Sequence, residues 1–363
     1  MTIPTDIPTI KMSEVIPLLI AGYKAGLRNF GLLGPSGIGK TQIVQQIAAH
    51  LRGELNLDYD AKCVIYRAGH KGLVDMGVPV PDHDIHRVRT YTPLSADLPD
   101  AKRDGEVGVW LLDEGNALPK QLQGPMFGMI EDRVLGETEF PKEWMVVLTG
   151  NRVEDMGVAN KMAAPLNDRL VLFNVEPDLE SFKDYTAKAG IVNAHLITGF
   201  LDHRPALLHC APGTEAVDPA KDWRITMPKD ARSFPTPRGY HKIAPVLSLP
   251  AEVRQPLVAG QLGCAVASEL EGYLQVAVHL PSVDEVLADP EGCRLPDEKR
   301  ANNGVKYAMV SMLAYSADVE SVVAFGTYCS RIGKEFEALF YADVNRRDPK
   351  LLEMGSYVDL KTR

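Results

Sequence analysis

Gly34-Pro35-Ser36-Gly37-Ile38-Gly39-Lys40-Thr41 is the stretch of this sequence that decides the fold. It fits the phosphate-binding pattern G-x-x-x-x-G-K-[ST] at every fixed position. The glycines let backbone N–H groups turn toward one centre, where they can donate to phosphate oxygens. Lys40 would reach the β- and γ-phosphates of a nucleotide, and the Thr41 hydroxyl would bind Mg²⁺. These eight residues therefore predict a site for ATP and Mg²⁺.

The residues on either side of the loop predict a strand before it and a helix after it. Asn29 to Leu33 is a short, largely apolar run, which is typical of a buried strand. Thr41 to Leu51 carries apolar residues at helical spacing, and the positive end of that helix dipole would face the phosphates. A glycine-rich turn with an exposed lysine is the alternative, and this strand, loop and helix order argues against it.

A second motif follows about seventy residues later in the chain. Val109 to Leu112 is a continuous apolar run, as in buried parallel strands, and it ends in Asp113 and Glu114. An Asp at the end of a strand can hold Mg²⁺ directly or through water, and the adjacent Glu can deprotonate an attacking water. An acidic turn after a strand is the alternative. The spacing from the phosphate loop favours Asp113 as a metal ligand and Glu114 as the base.

Composition and charge exclude several classes of protein. The 363 residues suffice for two or three domains, and the formal net charge of −9 argues against a general polyanion binder, although a local basic pore remains possible. The five cysteines are scattered without metal-binding spacing, which fits reduced thiols in a cytosol. We see no signal peptide and no membrane-spanning run, so we expect a cytoplasmic protein without a membrane partner.

Further apolar runs predict additional strands at Cys63 to Tyr66, Trp144 to Leu148 and Leu170 to Val175. Strands that alternate with helices predict a parallel sheet with helices on both faces. Arg133 to Phe140 is a candidate hairpin, and Val74 to Asp104 is predicted to be a loop or insertion. The helices predicted outside this core lie at 13–26, with Ser13 as N-cap, and at 121–130, 179–189, 194–208, 237–249, 252–278 and 304–339. After Glu176 the strand signal stops, 210–233 is predicted to be a polar loop, and 341–363 a loosely ordered tail.

From Met12 to Leu247 the chain resembles the AAA+ ATPases, and within them the MoxR-like ATPases. The segments that carry the resemblance are Gly34 to Thr41 (Walker A), Leu111-Leu112-Asp113-Glu114-Gly115-Asn116-Ala117 (Walker B), Val147-Leu148-Thr149-Gly150-Asn151-Arg152, Ala164-Pro165-Leu166-Asn167-Asp168-Arg169-Leu170 and Phe234-Pro235-Thr236-Pro237-Arg238. The resemblance implies an α/β fold, namely a P-loop αβα sandwich with a parallel sheet, followed by a helical lid and additional C-terminal helices. The implied domains are 1–175 for nucleotide binding, 176–250 for the lid and 251–363 for a C-terminal helical extension.

The resemblance also implies roles for four further residues. Asn151 looks like the sensor 1 residue that bonds the γ-phosphate or the attacking water, although strand-end turns also favour asparagine. Arg169 looks like an arginine finger for a neighbouring subunit, with Arg152 as a competitor and a surface salt bridge as the alternative. Arg238 looks like the lid arginine near the start of a helix capped by Thr236, although a solvated basic residue would also fit there.

Two segments look like family insertions, and one residue departs from the family pattern. Arg133 to Phe140 is similar to the pre-sensor 1 hairpin, and Val74 to Asp104 is similar to the variable loop before Walker B. Gly115 stands where the family often has an aliphatic residue. The helices after Pro250 match no family pattern that we recognise.

The resemblance implies an ATP hydrolase that forms a homo-oligomeric ring, most often a hexamer. Its work would be the remodelling or maturation of a protein client, as in MoxR-like chaperones, with a von Willebrand factor A-domain protein as partner. A nucleic-acid motor or loader is the first alternative, and strongly salt-dependent DNA binding would favour it. A nucleotide-gated scaffold with slow turnover is the second, and a phosphate-release assay distinguishes it.

Overall fold

The computed structural model describes residues 7–68, 78–82, 87–91, 97–118, 123–135, 138–152, 162–218, 223–277, 279–296 and 304–353. The chain divides into two compact units, residues 1–176 and 177–363. Across the described ranges, no helix combines the length and the apolar character needed to cross a membrane.

The first unit is built on a six-stranded parallel sheet with the strand order β1-β10-β2-β9-β6-β3. Its strands, with those of two separate hairpins, are β1 Thr9–Lys11, β2 Asn29–Leu33, β3 Lys62–Arg67, β4 Val78–Asp82, β5 Arg87–Tyr91, β6 Gly108–Asp113, β7 Val134–Leu135, β8 Thr138–Glu139, β9 Met145–Gly150 and β10 Val171–Glu176. Its helices are α1 Met12–Lys24, α2 Lys40–Leu55, α3 Ala101–Asp104, α4 Gln123–Phe127 and α5 Ala164–Asn167.

The central strands are buried on both faces, which explains their continuous apolar sequences. On β6, Val109 and Leu111 contribute to the core that contains α1 and α2, whereas Trp110 and Leu112 contribute to the core on the opposite face. All four side chains are fully buried. The predicted P-loop α/β fold with helices on both sides of a parallel sheet is therefore confirmed.

Two short hairpins of the first unit lie outside the six-stranded sheet. β7 and β8 pair antiparallel within the segment predicted to be a hairpin. β4 and β5 also pair antiparallel, so the segment predicted to be a loop or insertion contains a hairpin as well as α3. Part of that segment, 74–77, 83–86 and 92–96, lies outside the described residues.

Several predicted element boundaries were wrong at the start of the first unit. Thr9–Lys11 forms an additional edge strand that pairs with β10, although this segment carries only one buried apolar residue, Ile10. Helix α1 begins at Met12, and the backbone N–H of Lys11 donates to Glu14 Oε2 at 2.6 Å. Ser13 therefore lies inside the first turn and is not the N-cap. Farther along the chain, the segment 121–130 was predicted to be a helix. Residues 121–122 lie outside the described ranges, and the rest forms α4 and a π-helical turn, Gly128–Asp132.

The second unit is mainly helical. Its helices are α6 Leu179–Lys188, α7 Ala194–His203, α8 Pro237–Ile243, α9 Ala251–Leu262, α10 Cys264–Ala277, α11 Val283–Ala288, α12 Gly304–Ser316, α13 Val322–Ile332, α14 Lys334–Arg347 and α15 Lys350–Glu353. The prediction that strands end after Glu176 was wrong, because β11 Glu215–Asp218 and β12 Trp223–Thr226 form a hairpin within the predicted polar loop.

Glycines divide two of the long helices that were predicted here. Gly263 has φ +90°, which ends α9 before α10 begins. Gly333 separates α13 from α14, and a turn that includes Asp318 and Ser321 separates α12 from α13. The predicted tail from Tyr341 contains the end of α14 and also α15, and residues after 353 lie outside the described ranges.

The helices on the two sides of residue 250 share one hydrophobic core. Phe182 and Ile197 from the predicted lid contact the same core as Val266 and Ala308 from the predicted extension. Residues on both sides of position 250 therefore pack together in this unit, and the domain boundary predicted there stays a prediction.

A buried ionic cluster joins the same parts of the second unit. Lys183 Nζ on α6 lies 2.9 Å from Asp202 Oδ2 on α7 and 2.7 Å from Asp343 Oδ1 on α14. Burial raises the pKa of Asp343 to about 6, although the nearby Lys183 opposes this effect. Removing one partner from a buried charge pair typically costs about 3–5 kcal/mol, because the remaining charge is left buried without compensation.

Candidate functional site

The candidate site lies at the carboxyl edge of the parallel sheet. Strands β2, β9 and β6 are neighbours and run in the same direction, so their C-terminal ends meet at this edge. The backbone N–H of Gly34, just after β2, donates to the Gly150 carbonyl at the end of β9, at 3.2 Å. This edge of an open α/β sheet is where ligands usually bind.

The glycines of the phosphate loop serve two different physical requirements. A Cβ on Gly34 would lie 2.4 Å from the Val175 carbonyl oxygen, so a side chain there would collide with the backbone of β10. Gly37 and Gly39 have φ of +81° and +103°, in the left-handed region that favours glycine. Ile38 is buried between them and anchors the loop to the core. The loop therefore has a defined shape that depends on its glycines.

Lys40 is the first residue of α2, and its side chain folds back along the loop. Its Nζ donates to the carbonyl oxygens of Gly34 and Pro35, at 2.7 Å each, and to Asn151 Oδ1 at 3.2 Å. The side chain is buried, so its charge acts in a region with little screening by water. Lys40 thus links the phosphate loop to the end of β9.

Asp113 at the end of β6 accepts hydrogen bonds from two hydroxyl groups. Thr41 Oγ1 lies 3.0 Å and Thr149 Oγ1 2.6 Å from Asp113 Oδ1. Within the described residues, no group of three or more His, Cys, Asp or Glu side chains could hold a metal ion. Mg²⁺ often uses one or two protein oxygens together with water and substrate phosphates. Thr41 and Asp113 supply oxygens of that kind and therefore fit Mg²⁺.

Glu114 has an exposed side chain on an unusual backbone. Its φ of +55° is in the left-handed region, which costs a residue other than glycine about 1–3 kcal/mol. Three residues later, the Ala117 N–H donates to the Glu114 carbonyl at 2.9 Å, which closes the turn. Gly115 packs closely against Leu148, because a Cβ at position 115 would lie 2.7 Å from the Leu148 side chain. The departure from an aliphatic residue at 115 thus follows from the close packing of Leu148.

Asn151 is held by a residue for which the sequence predicted no role. Asn116 Nδ2 donates to the Asn151 carbonyl at 2.6 Å, and Asn116 Oδ1 accepts from the Asn151 N–H at 3.3 Å. Asn116 and Thr149 both lie inside the motifs quoted above, but the pattern of residue types carries no signal of these contacts. The structure therefore brings together Lys40, Thr41, Asp113 and Asn151 and adds Thr149 and Asn116.

Arg169 makes its described contacts inside its own chain. Its Nε is paired with Glu131, its Nη1 donates to the Pro165 carbonyl at 2.7 Å, and its guanidinium carbon lies 5.4 Å from the centre of the Phe127 ring. This is the ion pair weighed as the alternative to an arginine finger. Arg152, the competing candidate, directly follows Asn151 and is half-buried. The choice between the two arginines stays a prediction.

Arg238 belongs to the second unit and is exposed on the first turn of α8. The predicted cap is present, since the Gly239 N–H donates to Thr236 Oγ1 at 3.0 Å and Pro237 takes the first helical position. The local helix start is thus as expected, while the role of Arg238 toward a nucleotide stays a prediction.

Cys63 on β3 pairs with Val109 of β6 and lacks the properties of a nucleophile. Burial and the nearby charge of Asp113 raise the pKa of the Cys63 thiol to about 12. The thiol therefore stays protonated at neutral pH, and thiolate is the reactive form. All five cysteines are free thiols.

No protein-family model and no curated protein matches this chain. Solved structures resemble it distantly. A RuvB mutant of Thermotoga maritima is 14% identical, with 95% of this chain and 87% of that chain covered and a TM-score of 0.37. NtrX from Brucella abortus in complex with ATP is 12% identical, with 96% and 69% covered and a TM-score of 0.37. Hsp104 with ATPγS and casein is 13% identical, with a TM-score of 0.36, and the match covers 50% of this chain and only 36% of Hsp104. At these values no property of those proteins extends to this chain.

We predict that the Thr149 hydroxyl supports metal binding through Asp113. Thr149→Val keeps the volume but removes a hydrogen bond to a charged group, which is worth about 1.5 kcal/mol or roughly tenfold in affinity. Mg²⁺ should raise the affinity for a fluorescent ADP less in this variant than in the parent, by about that factor. The affinity measured in EDTA, without Mg²⁺, should be unchanged. Thr149→Ser is the matched control and should behave as the parent. An equal loss with and without Mg²⁺ would contradict this prediction.

Proposed function

We propose that this protein is an ATP hydrolase of the AAA+ type. The observation that carries the proposal is the meeting of three strand ends at one edge of the sheet. Thr41 Oγ1 is 3.0 Å from Asp113 Oδ1, and Lys40 Nζ is 3.2 Å from Asn151 Oδ1. A lysine on a phosphate loop, a hydroxyl–carboxylate pair and a polar strand-end side chain are the groups that phosphoryl transfer requires.

In this mechanism the loop N–H groups and Lys40 hold the β- and γ-phosphates of ATP. Asp113 and Thr41 would hold Mg²⁺, which would neutralise charge that develops on the phosphate oxygens. Glu114 takes a proton from a water molecule as the water oxygen bonds to the γ-phosphorus. The bond from that phosphorus to the bridging oxygen breaks, and ADP leaves. Asn151 orients the water or the γ-phosphate. The products are ADP, inorganic phosphate and one proton.

We predict that Glu114→Gln retains ATP binding and lowers hydrolysis by at least about a hundredfold, because a general base contributes roughly 10²–10⁴-fold. Lys40→Ala should instead lose binding, since the phosphates then lack their main cation. Phosphate release and fluorescent ATP binding measure the two effects. Glu106→Gln, an exposed carboxylate elsewhere in the first unit, is the control. Hydrolysis by Glu114→Gln at the parent rate would remove Glu114 as the base.

We further propose that the active form is a homo-oligomeric ring, with six subunits as the expected number. Arg169 would then act on the nucleotide of a neighbouring subunit and stabilise charge in the transition state. This role requires the guanidinium to leave Glu131 and Phe127.

Arg169→Ala should therefore bind ATP normally and hydrolyse it poorly. Mixing Arg169→Ala with Lys40→Ala subunits should restore part of the activity, because the intact arginine of one can serve the intact phosphate loop of the other. Native mass spectrometry verifies that the subunits have exchanged, and phosphate release measures the restored activity. Mixed rings without rescue would argue against action in trans, and rescue by Arg152→Ala in place of Arg169→Ala would transfer the role to Arg152.

For the biological work we propose remodelling or maturation of a protein client, as in MoxR-like ATPases, with a von Willebrand factor A-domain protein as partner. The β7–β8 hairpin supports this proposal, because it is not part of the six-stranded sheet and its root is tied to that sheet. Arg133, just before β7, is buried, and its Nη2 donates to Asn29 Oδ1 at 2.8 Å and to the Trp144 carbonyl at 3.2 Å. The hairpin is thus attached to the strand that leads into the phosphate loop.

The Glu114→Gln protein should trap its client in the ATP-bound state. We predict that, recovered from its native cell with ATP present, it carries a protein with a von Willebrand factor A-type domain. Replacing Thr138 and Glu139 of the hairpin by Ala should spare basal hydrolysis and reduce stimulation by that client. Mass spectrometry identifies the client, and phosphate release measures the stimulation. Recovery of nucleic acid instead, released by moderate salt, would favour the DNA motor.

A further inference from the structure

Asn116 links the segment that carries Glu114 to the segment that carries Asn151. Its amide nitrogen donates to the Asn151 carbonyl at 2.6 Å, and its amide oxygen accepts from the Asn151 N–H at 3.3 Å. A carbonyl can only accept and a backbone N–H can only donate, so these partners decide the orientation of the amide. The Asn116 side chain is buried, and its two hydrogen bonds to Asn151 are partly buried.

The end of β9 is shaped to receive this amide. A Cβ on Gly150 would lie 2.4 Å from Asn116 Oδ1 and 3.0 Å from Asn116 Nδ2. Any side chain at position 150 would therefore displace the amide from Asn151. The Asn116 amide and the glycine form a matched pair, although the two residues are far apart in the sequence.

The same amide connects the two polar groups that flank the reacting water in the proposed mechanism. Asn116 lies two residues after Glu114, in the 3₁₀ turn Gly115–Ala117 that keeps the Glu114 backbone in the left-handed region. On the other side, the Asn151 side chain accepts from Lys40 at 3.2 Å. A shift of Asn116 would change the separation between Glu114 and Asn151, and it would leave in place the hydrogen bonds from Lys40 to the carbonyl oxygens of Gly34 and Pro35.

We propose that Asn116 is a positioning residue that sets the distance between the base, Glu114, and the sensor, Asn151. This inference rests on the proposed hydrolysis of ATP. Asn116 itself contacts neither the phosphates nor the metal in this proposal, and it acts through the Asn151 backbone. Its removal should therefore slow the chemical step and leave nucleotide affinity in place.

A purely structural role is the competing explanation, and the chain supplies a matched control for it. Gln123 is buried in the same unit, and its amide also bridges two backbone segments. Its Nε2 donates to the Leu118 carbonyl at 3.3 Å, and its Oε1 accepts from the Ala163 N–H at 3.0 Å. Gln123→Ala thus removes the same kind of link but leaves the contacts of Asn151 unchanged, although Ala163 directly precedes the segment that leads to Arg169.

The experiment compares Asn116→Ala with Gln123→Ala in the full-length protein. Misplacing a catalytic group by about 1 Å can cost roughly a hundredfold in rate, so kcat of Asn116→Ala should fall at least about tenfold. Its KM for ATP and its affinity for fluorescent ADP should stay within about twofold of the parent, since these report ground-state binding. Gln123→Ala should show a comparable fall in melting temperature but keep kcat within about threefold, because its link is outside the site.

Gly150→Ala provides a second, independent perturbation, because it displaces the Asn116 amide without removing it. It should reproduce the fall in kcat with unchanged affinity for ADP. Parent-like kcat in Asn116→Ala or in folded Gly150→Ala would overturn the inference and leave the proposed function intact, as would equal losses of kcat in Asn116→Ala and Gln123→Ala. No hydrolysis by the unmodified protein would overturn the proposed function itself, and with it this inference.

Discussion

The hydrogen bond from the Thr41 hydroxyl to the Asp113 carboxylate, 3.0 Å long, is the constraint on which the rest of the site depends. Thr41 lies on α2, which follows β2 and the phosphate loop, whereas Asp113 is the last residue of β6. Strand β9 lies between β2 and β6 in the sheet. The bond must therefore pass over the end of β9. That end carries Thr149, whose hydroxyl donates to the same carboxylate oxygen, and Gly150, which has no side chain. The parallel register of the three strands thus determines which residue types the middle strand can present.

The core of the fold could be predicted because its physical requirements are local in sequence. A strand buried on both faces needs a continuous apolar run, and β6 and β9 have one. The phosphate loop needs glycine at fixed places, and the sequence shows this directly. The edge strand β1 lacks such a signal, because among the described residues it has a strand partner on one side alone and its burial is partial. The β11–β12 hairpin was missed for a similar reason, since its strands are short and mostly exposed or half-buried.

The contacts that refine the site could not be predicted, because they join residues that are distant in sequence. Asn116 meets Asn151, 35 residues away, and Thr149 meets Asp113, 36 residues away. Both partners in each pair are common residue types that also occur in turns. Gly115 is a further residue whose environment could not be predicted from the sequence. It departs from the pattern of the family that the sequence resembles, and only the structure shows that Leu148 packs closely against position 115. Sequence patterns thus predicted the candidate site residues, whereas the structure was needed to identify the groups that contact them.

The contacts of Arg169 with Glu131 and Phe127 are compatible with a role toward a neighbouring subunit, and magnitudes show why. Glu131 is more than half exposed, and surface ion pairs of this kind contribute about 0–1 kcal/mol. The ring of Phe127 adds roughly 0.5–1 kcal/mol at an exposed site. Charge-assisted hydrogen bonds from a guanidinium to phosphate oxygens are worth about 1.5–3 kcal/mol each, and two can form together. A neighbouring γ-phosphate would therefore outcompete the contacts within the subunit.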